Sequence, residues 1–400
     1  MISADTYQQL ARPGASKLVL LVIDGLGGLA HPQTGLTELE AASTPNLDAL
    51  AAKAATGLSV PIGPGITPGS GPGHLALFGY DPVASNIGRG ALSAIGIGLG
   101  LGPGDLGVRL NFCTLDDDGN VADRRAGRIP SQLNRELVSE LSGHDIGCPY
   151  ELATESAHRA VLVLRGAGFS DRIRETDPQA IGVPPVDPEP LSGDAAETAA
   201  VLSRFLEVVT ERIGDRAPAN FVLMRGYATR PELVPMQQTW SIRGACSASY
   251  PMYKGLAAIA GMEVLDTGDT FPGQLRAVSD AWPDYDFFFI HYKPSDAAGE
   301  DGDWEGKARA IEEVDAALPR LLDLGPAAIA VTGDHSTPAA LRQHSWHPVP
   351  LLIAGEQALP DLVESFGERA CGGGGLGQLP ARAVLPTLLA TAGRLVKFGA

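Results

Sequence analysis

Short, almost wholly apolar runs recur along the chain, and each stops at a polar or glycine-containing turn. Leu18–Ile23 (LVLLVI) stops at Asp24-Gly25, Phe221–Met224 at Arg225-Gly226 and Phe287–Ile290 at His291. Ala327–Val331 stops just before Gly333-Asp334-His335, and Val349–Ala354 stops at Gly355. Runs this short, apolar at every position rather than at alternate ones, predict strands covered on both faces, as in a parallel sheet. Helical patterns lie between them. Ser43-Thr44-Pro45-Asn46 opens Leu47–Ala55, with Thr44 as N-cap and Pro45 in the first turn. Lys307–Leu322 repeats Ala308, Ile311, Val314, Ala317, Leu318 and Leu321 at helical spacing. This alternation predicts an α/β class, a mostly parallel sheet flanked by helices. In such sheets ligands collect beyond the carboxyl ends of the strands, where Asp24, His291 and Asp334-His335 stand.

The pattern changes between 109 and 217. This segment holds twelve arginines and no lysine, acid clusters such as Asp116–Asp118, and a loop through Pro184, Pro185, Pro188 and Pro190. Val161–Leu164 reads as one strand and Ala195–Val209 as one helix. The expected organisation is a core of residues 1–108 and 218–400 with a smaller α/β domain, 109–217, inserted in it. Gly372–Gly375 reads as a loop and not a phosphate cradle, because no GK[ST] follows it.

Composition narrows the function. A chain of 400 residues that is 44% hydrophobic and 19% charged is globular and long enough for two domains. Its net charge of −17 argues against nucleic acid or an anionic membrane as partner, since both demand a basic face. No apolar run approaches the roughly 20 residues that span a bilayer, and the first residues, MISADTYQQLARPGASK, lack an apolar signal core. Four scattered cysteines without a CxxC fit reduced thiols. A cytoplasmic location is therefore expected. An anionic small molecule is not excluded, because charge at long range is screened beyond about 8 Å and cations can be placed locally.

Candidate chemistry gathers at the strand ends. His335 follows Asp334, and His344 and His347 lie in HSWHPVP just before the next apolar run. Asp296 and Glu300 are four apart, so a helical turn would put both carboxylates on one face. Carboxylates with neutral imidazoles make an oxygen/nitrogen donor set suited to Mn²⁺, Zn²⁺ or Mg²⁺. Ser70 sits in a Gly/Pro-rich run just before an apolar helical start at His74–Phe78. Amides at such a start can hold a phosphate, but a serine needs a base or a metal to become a nucleophile.

These residues fall within a recognisable series: VIDGLGG, STPNLDALA, TPGSGPGHLALFGYDP, GRGALSAIGIG, DRRAGRI, ETDP, NFVLMRG, YPMYKGLAAIAGMEV, HYKPSDAAGEDGD, VTGDHSTP and HSWHPVP. Over nearly its whole length the chain resembles the archaeal-type cofactor-independent phosphoglycerate mutases of the alkaline phosphatase superfamily. The resemblance implies an alkaline-phosphatase-like core with an inserted lid. It also implies interconversion of 3-phosphoglycerate and 2-phosphoglycerate without 2,3-bisphosphoglycerate, through a phosphoserine at Ser70. By the same resemblance Asp24, Ser70, Asp334 and His335 hold one divalent ion, Mn²⁺ foremost, with Zn²⁺, Co²⁺ or Mg²⁺ as alternatives. Asp296, Glu300 and His344 hold the other. Position 300 departs from the family's usual DxxGH; an anionic oxygen there lowers the site's positive charge and favours harder metals. His347 is an alternative ligand to Glu300. Lys254 matches a catalytic position, and Arg89, Arg124, Arg125, Arg128, His158 and Arg225 match positions tied to substrate recognition. The alternative is a metal-dependent phosphohydrolase or mutase of a related phosphorylated or phosphonate acid on the same core.

Overall fold

Strand β1 is the six-residue apolar run Leu18–Ile23, buried at every position. It is followed by β2 (Ala55–Val60), β3 (Leu106–Leu115), β4 (Val121–Asp123), β5 (Tyr150–Ser156), β6 (Arg159–Leu164) and β7 (Phe221–Thr229). Next come β8 (Gly244–Ser247), β9 (Glu263–Val264), β10 (Phe287–Tyr292), β11 (Ala328–Thr332), β12 (Val349–Gly355) and β13 (Gly377–Pro380). The structure, a computed structural model, describes residues 4–85 and 87–399. Packing divides the chain into two units, Met1–Asn86 with Leu233–Ala400, and Ile87–Glu232.

The first unit is built on an eight-stranded sheet of order β13-β2-β12-β11-β1-β10-β8-β9. Five of its pairings are parallel. β12 is the exception to the parallel expectation: it runs antiparallel to both β11 and β2. A continuous apolar run reports that both faces are covered, not which way the strand points. The α/β class with a mostly parallel sheet is the one observed. Helices supply the cover: Phe271, Leu275 and Val278 from Phe271–Ala281, and Ile311, Val314, Leu318 and Leu321 from Trp304–Leu322, join Val19, Leu21, Phe288, Ile290 and Val331 in one core. Pro45 opens its helix as expected, but Thr44 makes no side-chain cap bond. In register, Ile23 lies beside Tyr292, and Val22 beside Thr332. The three central strands therefore end level, and the residues that follow them emerge along one edge.

The second unit carries a five-stranded antiparallel sheet, β4-β3-β6-β5 with β7 on the other side of β3. The run Phe221–Met224 thus belongs to β7 in this sheet, not to the parallel one. Helices Ser131–Leu141 and Ala196–Ile213 supply Leu137, Leu141, Leu202, Phe205 and Val209 to its core. Residue 109, one expected edge of the insertion, falls inside β3, and 217 lies just before β7. The unit extends to 87 and 232 because β7 runs to Thr229 and the helix Arg89–Gly96 packs on β3 and β7. Among the described residues no helix is long and apolar enough to cross a membrane.

Candidate active site

At the level edge of the first unit, buried Asp24 follows β1, buried Asp334 and His335 follow β11, and buried Asp296 stands in the helix Pro294–Asp301 just after β10. Ser70 opens the helix Ser70–Leu77, and His344 lies in the loop before β12. Two glycines allow this convergence by close approach. A Cβ on Gly73 would sit 2.6 Å from the Asp334 carbonyl oxygen, and one on Gly299 would sit 2.3 Å from that of Thr337.

Donor atoms of Asp24, Asp334 and His335 lie within 4.8 Å of one another, and so do those of Asp296, His335 and His344. Hydrogen bonding decides which group His335 serves. Thr337 Oγ1 donates its one proton to Asp296 Oδ1 at 2.6 Å, so it accepts from His335 Nδ1 at 3.0 Å. The Nε2 lone pair is then left facing Asp334 Oδ2 at 3.2 Å, Asp24 Oδ1 at 3.4 Å and Ser70 Oγ at 3.2 Å. His344 is oriented similarly: Nδ1 donates to the Pro68 carbonyl at 3.0 Å, and Nε2 lies 3.7 Å from Asp296 Oδ1 and 3.9 Å from Glu300 Oε1. Burial lowers the pKa of His335 despite the neighbouring Asp334, which keeps the imidazole neutral.

Asp24 Oδ1 and Asp334 Oδ2 are buried and have no hydrogen-bond partner among the described residues. Beside the His335 lone pair they form a set of three acceptors faced by the Ser70 hydroxyl and, at Asp334 Oδ2, by His74 Nδ1 at 3.2 Å. Such a set suits a cation. The other oxygens are held. Asp334 Oδ1 accepts from the Gly25 amide at 3.2 Å, and Asp24 Oδ2 accepts from the Tyr253 hydroxyl at 2.6 Å and lies 3.0 Å from Lys293 Nζ. Burial pushes the Asp24 carboxyl up, but Lys293 and then His291 outweigh it and hold it well below the ordinary range. His74, one turn after Ser70, donates Nδ1–H to the Ser70 carbonyl at 2.8 Å; burial would lower its pKa, but Asp334, 3.2 Å away, raises it.

Asp24, Ser70, Asp296, Asp334, His335 and His344 thus come together, and half-exposed Glu300 stands at their edge. His347 turns instead to Ser345 Oγ at 3.0 Å and stacks on Trp346. Lys254, half-buried in the helix Pro251–Ile259, makes no ion pair with these carboxylates among the described residues; its neighbour Tyr253 reaches Asp24. Sequence reasoning missed Lys293, Tyr253, Thr337 and His74. Spacing could have found two of them, since His74 is i+4 from Ser70 and Lys293 is i−3 from Asp296. Tyr253 carries no such signal.

The six expected substrate-binding residues all belong to the second unit. Arg124 binds buried Asp177 bidentately at 2.8 and 2.7 Å, and Arg225 shares the same carboxylate at 3.1 Å. Arg125 and Arg128 are exposed on a tight loop in which Asp123 accepts from the Arg125 and Gly127 amides. Ala126 and Arg128 both adopt positive φ there, an uncommon conformation for residues with a Cβ. His158 is buried, and burial together with Arg159, Arg125, Arg109 and Arg128 pushes its pKa down to about 3. Arg89 is the first residue of its helix, where Gly226 allows close approach.

The profile of the family described as 2,3-bisphosphoglycerate-independent phosphoglycerate mutase matches residues 51–220. A probable 2,3-bisphosphoglycerate-independent phosphoglycerate mutase of Thermus thermophilus is 47% identical over 401 residues, covering 98% of each chain. Among solved structures, the PH0037 protein from Pyrococcus horikoshii is 31% identical with a TM-score of 0.83, covering 96% of this chain and 99% of its own. The cofactor-independent phosphoglycerate mutase from Thermoplasma acidophilum is also 31% identical, with a TM-score of 0.70 over 94% of this chain and 100% of its own. With a relative this similar along almost the entire length, and motifs converging on one strand edge, the chain belongs to the 2,3-bisphosphoglycerate-independent phosphoglycerate mutases.

Proposed function

We propose that this enzyme moves the phosphoryl group between the 3- and 2-hydroxyls of glycerate through a phosphoserine at Ser70, with two divalent cations bound. The observation that carries this reading is the convergence of Ser70 Oγ with the buried acceptors Asp24 Oδ1 and Asp334 Oδ2 and the lone pair of His335 Nε2. Asp24, Ser70, Asp334 and His335 would hold one cation, and Asp296, Glu300 and His344 the other. The oxygen-rich set, with Glu300 in it, favours Mn²⁺. When bound, such cations lower the pKa of a hydroxyl and neutralise phosphoryl oxygens.

The chain's own residues supply the rest. Ser70 sits at a helix start, where free amides favour negative charge on a phosphoryl oxygen. Attack of Oγ on phosphorus forms phosphoserine as the bond to the glycerate oxygen breaks, and the serine proton ends on that oxygen. The other glycerate hydroxyl then reverses the step. Lys254 is assigned to the transferring phosphoryl group. Arg89, Arg124, Arg125, Arg128, His158 and Arg225 are assigned to the substrate's anionic groups, because guanidinium planes match carboxylate and phosphate edges. We assign the second unit the role of a lid that excludes water while glycerate turns over. A cytoplasmic glycolytic setting agrees with four cysteines that are free thiols.

The test is a coupled 3-phosphoglycerate assay on EDTA-treated protein resupplied with Mn²⁺, Zn²⁺, Co²⁺ or Mg²⁺, run beside Ser70→Ala. Mutase turnover restored by a metal and abolished in the variant is expected. No turnover with any metal, or undiminished turnover in Ser70→Ala, overturns the reading.

A further inference from the structure

Asp24, Asp296 and Asp334 are buried at the strand edge; donor atoms of Asp24 and Asp334 lie within 4.8 Å of each other, and Asp296 shares an ion-pair partner with Asp24. Like charges in such a place repel strongly when nothing compensates them, because little water is there to screen them. Among the described residues, one lysine forms ion pairs within the cluster. Lys293 Nζ lies 3.0 Å from Asp24 Oδ2, is ion-paired to Asp296 Oδ2, and is 3.4 Å from the Tyr253 hydroxyl.

The way the two carboxylates divide is informative. Asp24 turns Oδ2 to Lys293 and Tyr253, leaving Oδ1 without a hydrogen-bond partner among the described residues, beside His335 Nε2. Asp296 turns Oδ2 to Lys293 and Oδ1 towards Thr337 and His344. A single ammonium thus holds one oxygen from each candidate metal group and leaves the other towards a histidine, Asp24 Oδ1 at 3.4 Å from His335 Nε2 and Asp296 Oδ1 at 3.7 Å from His344 Nε2. Its backbone is fixed between the last residue of β10 and Pro294, the first residue of the helix that carries Asp296. Its charge lies near the rings of Tyr250 and Tyr253, 5.9 and 5.7 Å from their centroids. The side chain is about a quarter exposed, so it is reached from solvent.

We propose that Lys293 is a built-in counter-ion shared by the two metal groups, which stabilises the metal-free site and opposes divalent-cation binding. The inference rests on the two-metal reading above. An ammonium that neutralises Asp24 and Asp296 while the site is empty repels a divalent ion brought to the other oxygens of the same carboxylates. By linkage, the stability it adds to the empty protein is subtracted from the cation's affinity. A lysine that served only as packing would affect the empty and loaded protein alike. One that served mainly to aim the carboxylates would strengthen cation binding.

The experiment compares wild type with Lys293→Met, which keeps an apolar stem beside the tyrosines, and Lys293→Gln, which keeps a hydrogen-bond donor but no charge. Each protein is purified with Mn²⁺, stripped with EDTA and titrated with Mn²⁺, and the free ion is followed by its electron paramagnetic resonance. Melting is recorded with EDTA and with saturating Mn²⁺. The expected result is Mn²⁺ binding at least threefold tighter in both variants, with a fall in Tm that is large in EDTA and smaller in Mn²⁺. Binding that is unchanged or weaker in both variants, or a Tm difference equal under the two conditions, overturns the proposal while the two-metal reading stands. Failure of the wild type itself to bind Mn²⁺ overturns the two-metal reading, and the counter-ion role with it.

Discussion

Replacing Thr337 with Val tests the hydrogen-bond argument that assigns His335 to the group of Asp24 and Asp334. The fully buried hydroxyl makes two bonds, donating to Asp296 Oδ1 at 2.6 Å and accepting from His335 Nδ1 at 3.0 Å. Val keeps the branched shape and removes both. A buried imidazole N–H left without an acceptor costs about 1–3 kcal/mol. The ring can relieve this by moving its proton to Nε2, which fills the lone pair that faces Asp24 and Asp334. Either outcome weakens a cation held there. Loss of such an outer partner typically reduces metal affinity about 10–100-fold, or about 1.4–2.8 kcal/mol. Mn²⁺ titration of EDTA-treated Thr337→Val, beside wild type and Thr337→Ser, measures the effect, and ¹⁵N shifts of the metal-free imidazole report the tautomer. Serine should restore most of the affinity. Val binding Mn²⁺ within twofold of wild type, with Nε2 still unprotonated, would refute the assignment.

Two further outcomes follow from particular contacts. Gly73→Ala drives a methyl to 2.6 Å from a backbone carbonyl that cannot rotate away, so it should lower both stability and Mn²⁺ affinity, the stability by about 1–3 kcal/mol. Gly63→Ala, whose Cβ would meet only an isoleucine methyl at 3.5 Å, should be near neutral, and equal effects of the two in denaturant and Mn²⁺ titrations would contradict the packing argument. In the second unit, His158 has its pKa pushed from its ordinary 6.5 down to about 3. The unfolded chain therefore takes up a proton that the folded one refuses, and stability present above pH 6.5 is lost as pH falls towards 3, at up to about 1.4 kcal/mol per pH unit. His158→Gln should flatten that branch in urea unfolding between pH 7 and pH 4.5, and a difference from wild type that does not vary with pH would count against it.

The sequence by itself determined the class of the core and pointed to most of the candidate donors that the structure gathers at one edge. Apolar runs such as Leu18–Ile23 and Phe287–Ile290 can be satisfied only with both faces covered, and parallel strands that end level must bring their trailing residues to one edge. Asp24, Asp334 and His335 were legible because each trails such a run, and Asp296 and Glu300 because their spacing matches a helical turn. Direction and membership were not legible from the same pattern: β12 is antiparallel, and Phe221–Met224 lies in the second sheet. A run of apolar residues records burial, whereas direction and sheet membership depend on where the connecting chain returns. Only tertiary structure showed that Thr337 sets the His335 tautomer, that Tyr253 rather than Lys254 touches Asp24, and that Lys293 spans Asp24 and Asp296. These are contacts between the sides of different elements, decided within about an ångström by packing. Local periodicity carries no information at that scale.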